Sequence, residues 1–131
     1  MKKRKVLIVT ERRADFSRFK PIIDKINLEK KLDYILIVTG IHMLKKYGKS
    51  IKEIKKIGFN IHDSFNMYSE DLHKKNDDGA SMSKSLGIAI IAISKILKKT
   101  KPDLVLSGFD IAANLAVTIS PAHMNIPVAH I

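Results

Sequence analysis

The 131-residue chain contains no cysteine and no tryptophan. Without cysteine there can be no disulfide, no thiolate metal site and no thiol nucleophile. Aromatic residues make up only 6% of the chain, and none interleaves with a basic run in the way a base-stacking platform requires. Long apolar runs are missing too, and no stretch reaches the length expected of a membrane span. The basic start, MKKRK, is followed by a short apolar run at 6–10 and then at once by charge, which is not the layout of a signal peptide. The expectation is a cytoplasmic protein with no membrane partner. Acidic residues are few, 13 against 24 lysines and arginines, for a net charge of +11 and a pI of about 9.9. That balance permits an anionic partner, a nucleic acid or a nucleotide. Only four of the basic residues are arginine, however, and the lysines are scattered over 2–5, 30–31, 45–56 and 95–101. The pattern favours a solvated lysine surface over a nucleic-acid face.

What is present is a core: 45% of the residues are hydrophobic, and the length fits one domain, 1–131. Residues 6–10 (VLIVT) form a β-branched apolar run, read as the first strand. From about Asp15 the spacing of Phe16, Phe19, Ile22, Ile23 and Ile26 becomes helical, with Pro21 expected to kink that helix or shift its start. Arg13, Asp15, Ser17 and Arg18 thus fall at a strand-to-helix turn, where backbone N–H groups and an arginine suit a phosphate; the alternative is a set of plain exposed turn charges. Residues 34–39 (YILIVT) make a second strand, and His42 follows it, either as a pocket residue or as a structural one. Ser50 and Glu53 have the spacing of a capping box for a helix over 51–57, closed by Gly58. Residues 59–61 read as a third strand, and 64–81 as a long, mostly polar, mobile loop whose acids and histidine lack the spacing of a metal site. A long helix is expected over 81–99, with Met82, Leu86, Ile90, Ile93 and Leu97 on its main apolar face and Ile88, Ala89 and Ile91 widening it. Gly87 inside it suggests close packing or backbone approach.

The last stretch, 101–131, organises the rest. Residues 104–106 have no polar alternation, as in a strand buried on both faces. Residues 107–110 turn the chain, 112–119 form a closely packed helix of small and apolar residues, and 127–129 open another buried strand. Strands alternating with helices imply a parallel sheet with right-handed crossovers. Asp110 would then sit at the carboxyl end of a central strand, the edge where such sheets bind ligands. It is either a helix cap or a functional carboxylate. No G-x-G-x-x-G follows the first strand, so the dinucleotide fingerprint is absent.

Four segments carry a family resemblance. VTERRADFSRFKPII (9–23) resembles the VTGTRADYGRLKPLI opening of the hydrolysing UDP-N-acetylglucosamine 2-epimerases, in their sialic-acid and nonulosonate branch. TGIHMLKKYG (39–48) resembles their TGMHL…YG turn, MSKSLG (82–87) their M-x-x-S-x-G helix start, and 104–131 their LVLGDR…MNIPVAHI segment. The resemblance spans essentially the whole chain. It implies a Rossmann-like parallel sheet with helices on both faces, the amino-terminal half of a glycosyltransferase-B type fold. It implies further that a carboxyl-terminal domain or a partner chain completes the cleft, and that the full-length enzyme is a homo-oligomer. The activity implied converts UDP-N-acetylglucosamine and water to N-acetylmannosamine and UDP, with no redox cofactor; residues 1–131 alone would be inactive. A half-domain subunit of a two-chain glycosyltransferase, and a basic RNA- or anion-binding module, are the competing readings.

By the same resemblance Asp110 is the catalytic carboxylate. Arg13 meets the UDP phosphates, Ser17 and Gly108 lie at substrate-contacting positions, His42 is the pocket histidine, and His130 supports the site. Three departures stand out: Glu11-Arg12 replaces Gly-Thr, Ser17 replaces a glycine, and Phe109-Asp110-Ile111 replaces Gly-Asp-Arg. The order of motifs predicts that the strands at 6–10 and 104–106 are neighbours at the centre of the sheet. Arg13, His42 and Asp110 are expected to gather at one edge.

Overall fold

In the computed structural model, which describes residues 2–70, 79–109 and 112–131, the apolar run at 6–10 lies at the middle of the sheet. The strands are β1 (Arg4–Thr10), β2 (Leu32–Val38), β3 (Asp63–Ser64), β4 (Leu104–Ser107) and β5 (Val128–His130). Their spatial order is β3-β2-β1-β4-β5 and every pairing is parallel. β1 pairs along its whole length with β2, from Arg4 opposite Leu32 to Thr10 opposite Val38. On its other side Val6, Leu7 and Ile8 lie opposite Leu104, Val105 and Leu106, as the sequence predicts.

The sheet is covered on both faces, which is why its strands carry no polar alternation. Val6 and Ile8 of β1 join Tyr34, Leu36 and Val38 of β2 beneath α1 (Arg13–Leu28) and α2 (Ile51–Lys56). Leu7 and Val9, with Ile35, Ile37 and Val105, face the opposite way, beneath α3 (Gly79–Thr100) and α4 (Ala112–His123). The period of two is therefore present in the packing although invisible in the polarity.

Several elements differ from expectation for identifiable reasons. α1 begins at Arg13 and runs through Pro21 to Leu28. Pro21 is exposed, so the Ser17 carbonyl that loses its amide partner faces water and the helix continues. The third strand is Asp63–Ser64 and not 59–61. The segment before it covers the outer edge of β2 by other means: His62 gives its amide to the Leu36 carbonyl (2.9 Å), and its Nδ1 accepts the Leu36 amide (3.1 Å). The Tyr34 hydroxyl accepts the Asn60 amide (2.9 Å). Within the supposed loop, Met67 and Tyr68 are buried core residues; its part at 71–78 lies outside the described residues.

On α3 the buried stripe is Ser85, Ala89, Ile93, Ile96 and Leu97, whereas Met82, Ile88 and Ile91 are exposed. The expected main face is otherwise in place, since Ile93 and Leu97 are buried and Leu86 and Ile90 pack against the same core; with apolar residues all round, periodicity does not tell which flanking residues complete it. By length and composition α3 would also suffice to cross a bilayer, against the expectation that no such stretch exists; here its inner side belongs to the domain core. Gly87 does not mark a close approach, because a Cβ there would meet nothing within 4 Å. Gly87→Ala is therefore expected to stabilise the domain by about 0.5–1 kcal/mol, through helix propensity alone. Chemical denaturation of the two proteins measures it, and a loss of stability would mean the position has a neighbour.

Candidate functional site

The carboxyl ends of β1, β2 and β4 open on one edge of the sheet. Beyond β1 the chain passes Glu11 and Arg12 and enters α1. The Asp15 carboxylate accepts the Arg12 amide (3.1 Å) and the Arg12 Nε (3.3 Å), so the first turn of α1 is closed by its own acid. Burial pushes the Asp15 carboxyl above its usual range, while the charge of Arg12 pulls it back.

Arg13 stands at the head of α1 with its side chain 59% exposed. It holds Glu53 of α2 in a two-point ion pair: Nη2 to Oε1 at 2.6 Å and Nε to Oε2 at 3.1 Å. The hydrogen bond to Glu53 raises the Arg13 pKa further, and the same bond lowers that of Glu53. Glu53 is thus no capping partner for Ser50. Ser50 itself is in helical conformation and makes no side-chain cap bond; its hydroxyl turns instead to the Nδ1 of His42 (2.7 Å).

His42 lies in a 3₁₀ turn, Gly40–Met43, just past β2. It is fully buried. Its Nε2 bonds to the Thr10 hydroxyl (2.9 Å) and its backbone N–H to the Glu11 carbonyl (3.1 Å). Burial first, then the Arg13 charge, pushes its pKa down to about 4, so the ring is neutral at pH 7. Arg13 and His42 line one cavity of about 260 Å³ together with Phe16, Ser50, Glu53 and Ile54.

Of the other expected site residues, Ser17, Gly108 and His130 do not line that cavity. Ser17 is one turn into α1, its hydroxyl donating to the Ala14 carbonyl (2.9 Å). His130 ends β5 and contacts the Ser107 hydroxyl through Nδ1 (3.3 Å). Gly108 follows β4, donating its amide to Asn114 Oδ1 (3.3 Å). Asn114 Nδ2 in turn donates to the carbonyls of Gly108 and Phe109, so α4 clamps the turn. Phe109, where the resemblance expects glycine, has φ of +70°, a region that glycine enters without strain. Its ring stacks edge-on against Phe19 (5.0 Å) and lies beneath the Arg18 guanidinium (5.0 Å), contacts that offset the strain. Asp110 lies outside the described residues.

Glu11, with Arg12, stands where the resemblance expects Gly-Thr, a negative charge close to the position assigned to phosphate. Its side chain instead turns inward and the residue is 4% exposed. Oε1 accepts the Tyr68 hydroxyl (2.5 Å) and Oε2 accepts the Ala113 amide in the first turn of α4 (3.0 Å). Burial and the Glu11 carboxylate both push the Tyr68 hydroxyl pKa upward. Glu53, Tyr68 and Asn114 are the residues of this edge that sequence reasoning missed. For Tyr68 the only available signal was an apolar pair, Met67-Tyr68, inside a polar stretch.

A sequence profile of the family described as UDP-N-acetylglucosamine 2-epimerase matches residues 24–131. The hydrolysing UDP-N,N'-diacetylbacillosamine 2-epimerase of Legionella pneumophila is 31% identical over 128 residues, 98% of this chain and 33% of the relative. The UDP-N-acetylglucosamine 2-epimerase of Neisseria meningitidis is 32% identical over 128 residues, 98% of this chain and 32% of the relative. A crystal structure of a Neisseria meningitidis UDP-GlcNAc 2-epimerase bound to UDP-GlcNAc superposes with a TM-score of 0.75 at 20% identity, covering 97% of this chain and 31% of that one. This chain spans about a third of the length of the curated relatives it matches, and its doubly wound parallel sheet is the Rossmann-like, glycosyltransferase-B-like half seen in the epimerase structures. With its profile match running from the middle of α1 to the last residue, the chain belongs to the UDP-N-acetylglucosamine 2-epimerase family.

Proposed function

We propose that residues 1–131, continued by a second α/β domain, form a hydrolysing 2-epimerase acting on a UDP-linked 2-acetamido sugar, UDP-N-acetylglucosamine first among them. In this reaction the C2 proton is removed and the C1–O bond breaks, its electron pair leaving with UDP. The resulting glycal gains a proton at C2 from the opposite face and the hydroxide of water at C1, giving N-acetylmannosamine. Asp110 is the carboxylate that moves a proton at the sugar. Arg13 binds the diphosphate. His42, neutral and held through both ring nitrogens by Thr10 and Ser50, gives the cavity wall its shape and adds no charge. Ser17, Gly108 and His130 border the substrate. The reading keeps the cytoplasmic expectation and a homo-oligomeric complete enzyme.

The observation that carries the reading is the meeting of Arg13 and His42 on one cavity at the carboxyl edge of the sheet. The Arg13–Glu53 pair is open to solvent, and exposed pairs contribute only about 0–1 kcal/mol, so phosphate oxygens can take the place of Glu53. In the complete enzyme Arg13→Gln is expected to weaken UDP binding by about 10- to 100-fold, the size of a hydrogen bond to a charged group. Calorimetric titration with UDP checks this, and unchanged affinity would remove Arg13 from the site. Residues 1–131 alone should release no UDP above background from UDP-N-acetylglucosamine.

A further inference from the structure

We propose that the amino-terminal edge of the sheet carries a second phosphate site, built by Lys2, Arg4 and Lys31 beside Leu32, for a small organic phosphate with at least two negative charges. It lies at the far end of β1 from the cavity of Arg13 and His42, and it does not depend on the nucleotide-sugar reading of that cavity.

The sequence spreads its lysines along the chain, but the fold draws two of the groups together. Arg4 pairs with Leu32 across β1 and β2, and the Arg4 amide donates to the Lys31 carbonyl (2.9 Å). Residues of a strand alternate between faces, so Arg4 falls on the face of Val6 and Ile8, the one covered by α1. There Lys2, Arg4, Glu29, Lys31 and Leu32 line a cavity of about 550 Å³, a size usual for small-molecule sites. Lys5, on the opposite face, shows how the fold uses a cation that it needs: its Nζ donates to the Thr100 carbonyl at the end of α3. The side chains of Lys2, Arg4 and Lys31 have no hydrogen-bond or ion-pair partner among the described residues. The carboxyl end of α1 does not require them, having Lys25 in its last turn and the Glu29 amide on the Ile26 carbonyl (3.1 Å). The one acid of the cavity, Glu29, turns an oxygen to the Lys31 amide (3.2 Å). Three cations against one carboxylate leave two positive charges uncompensated, which sets the charge of the ligand. The Arg4 fork can take two oxygens of one phosphate. No aromatic ring lines the cavity, so bases of a single strand would find no stacking platform there. β1 is seven residues long, and about 20 Å of strand therefore separates this cavity from the Arg13 edge, too far for one diphosphate to serve both.

The test is a nuclear magnetic resonance titration of the 131-residue protein with inorganic pyrophosphate at constant ionic strength. The Arg4, Lys31 and Leu32 amides should shift and saturate together, while those of Arg13 and His42 report the other edge separately. Arg4→Gln is expected to weaken the affinity read at Lys31 and Leu32 by about tenfold, the size of one hydrogen bond to a charged group, and Lys31→Gln should do the same. Both side chains are exposed and take part in the fold only through their backbone, so the variants should fold. Glu29→Gln keeps an oxygen for the Lys31 amide and removes the charge; it should tighten binding about two- to fivefold. Lys95→Gln, which removes a positive charge from the exposed side of α3, should change nothing. The proposal is overturned by the absence of a saturable shift at these amides, by unchanged affinity in both Arg4→Gln and Lys31→Gln, by an equal loss in Lys95→Gln, or by failure of Glu29→Gln to tighten binding. Short single-stranded DNA and phosphatidylglycerol vesicles, offered at the same phosphate concentration, should perturb these amides less than pyrophosphate does. A stronger response to either would make the cavity part of a polymer- or membrane-binding face and would overturn the assignment to a small phosphate.

Discussion

Asp110→Asn in the complete enzyme is expected to lower kcat by about 100- to 10,000-fold while thermal stability and UDP affinity change little. The argument turns on what asparagine can and cannot replace. β4 ends at Ser107 and α4 begins at Ala112, so Asp110 falls in the short link before a helix, where aspartate is a favoured cap. Asparagine caps about as well as aspartate, and a purely structural Asp110 would tolerate the change. An amide has no titratable proton at working pH, so a carboxylate that shuttles protons at the sugar would not. General acid–base groups contribute about 10²- to 10⁴-fold in rate. UDP should still bind, because the diphosphate is assigned to Arg13 and the second domain. Steady-state kinetics with a melting curve on the same preparation separates the two roles, and a near-normal kcat would leave Asp110 as a cap.

Acidification should destabilise the domain through His42, by an amount on the order of 3 kcal/mol between pH 6.5 and 4. The folded-state pKa is about 4 against an ordinary value of 6.5, and each unit of difference corresponds to about 1.4 kcal/mol. In that window the unfolded chain binds more protons than the folded one, so stability falls as pH falls and levels off below the folded pKa. The cause is physical: a charged imidazole would sit with no exposure beside Thr10 and Ser50, facing the Arg13 guanidinium. Asp15 acts in the opposite sense, since its carboxyl is raised in the folded state, which is why the comparison must be with a variant and not with a buffer series alone. His42→Gln, less stable at pH 7 through lost hydrogen bonds, should lack this part of the acid slope. Denaturant titrations of both proteins at several pH values measure the difference. Parallel stability curves would show that His42 does not control the slope.

The central strands were legible because nothing competes with a reading of VLIVT or YILIV as buried strand, and their place in the middle follows from coverage on both faces. The edge was harder. Residues 59–61 look like a strand, but the His62 ring and the Tyr34 hydroxyl take up the backbone partners that strand pairing would use. Ser50 and Glu53 match a local capping motif, and long-range partners, His42 and Arg13, outbid the local one. Glu11 stands out in the sequence as a departure from the family pattern; that it points inward depends on Gly40, Tyr68 and Ala113, three contacts no spacing rule connects. Of the expected trio, Arg13 and His42 line one cavity and Asp110 lies outside the described residues, whereas Ser17, Gly108 and His130 lie away from that cavity.

The short third strand has a consequence for how copies of this domain behave in crowded solution. A long edge strand offers a row of open amides and carbonyls to which another chain can add. β2 is seven residues long, yet only Ile37 and Val38 are matched by residues of β3. Further back, at Leu36, an imidazole nitrogen and a single amide stand where a neighbouring strand would continue. The row is broken into pieces too irregular to template growth, so this flank should resist strand-to-strand aggregation despite the density of valine and isoleucine behind it.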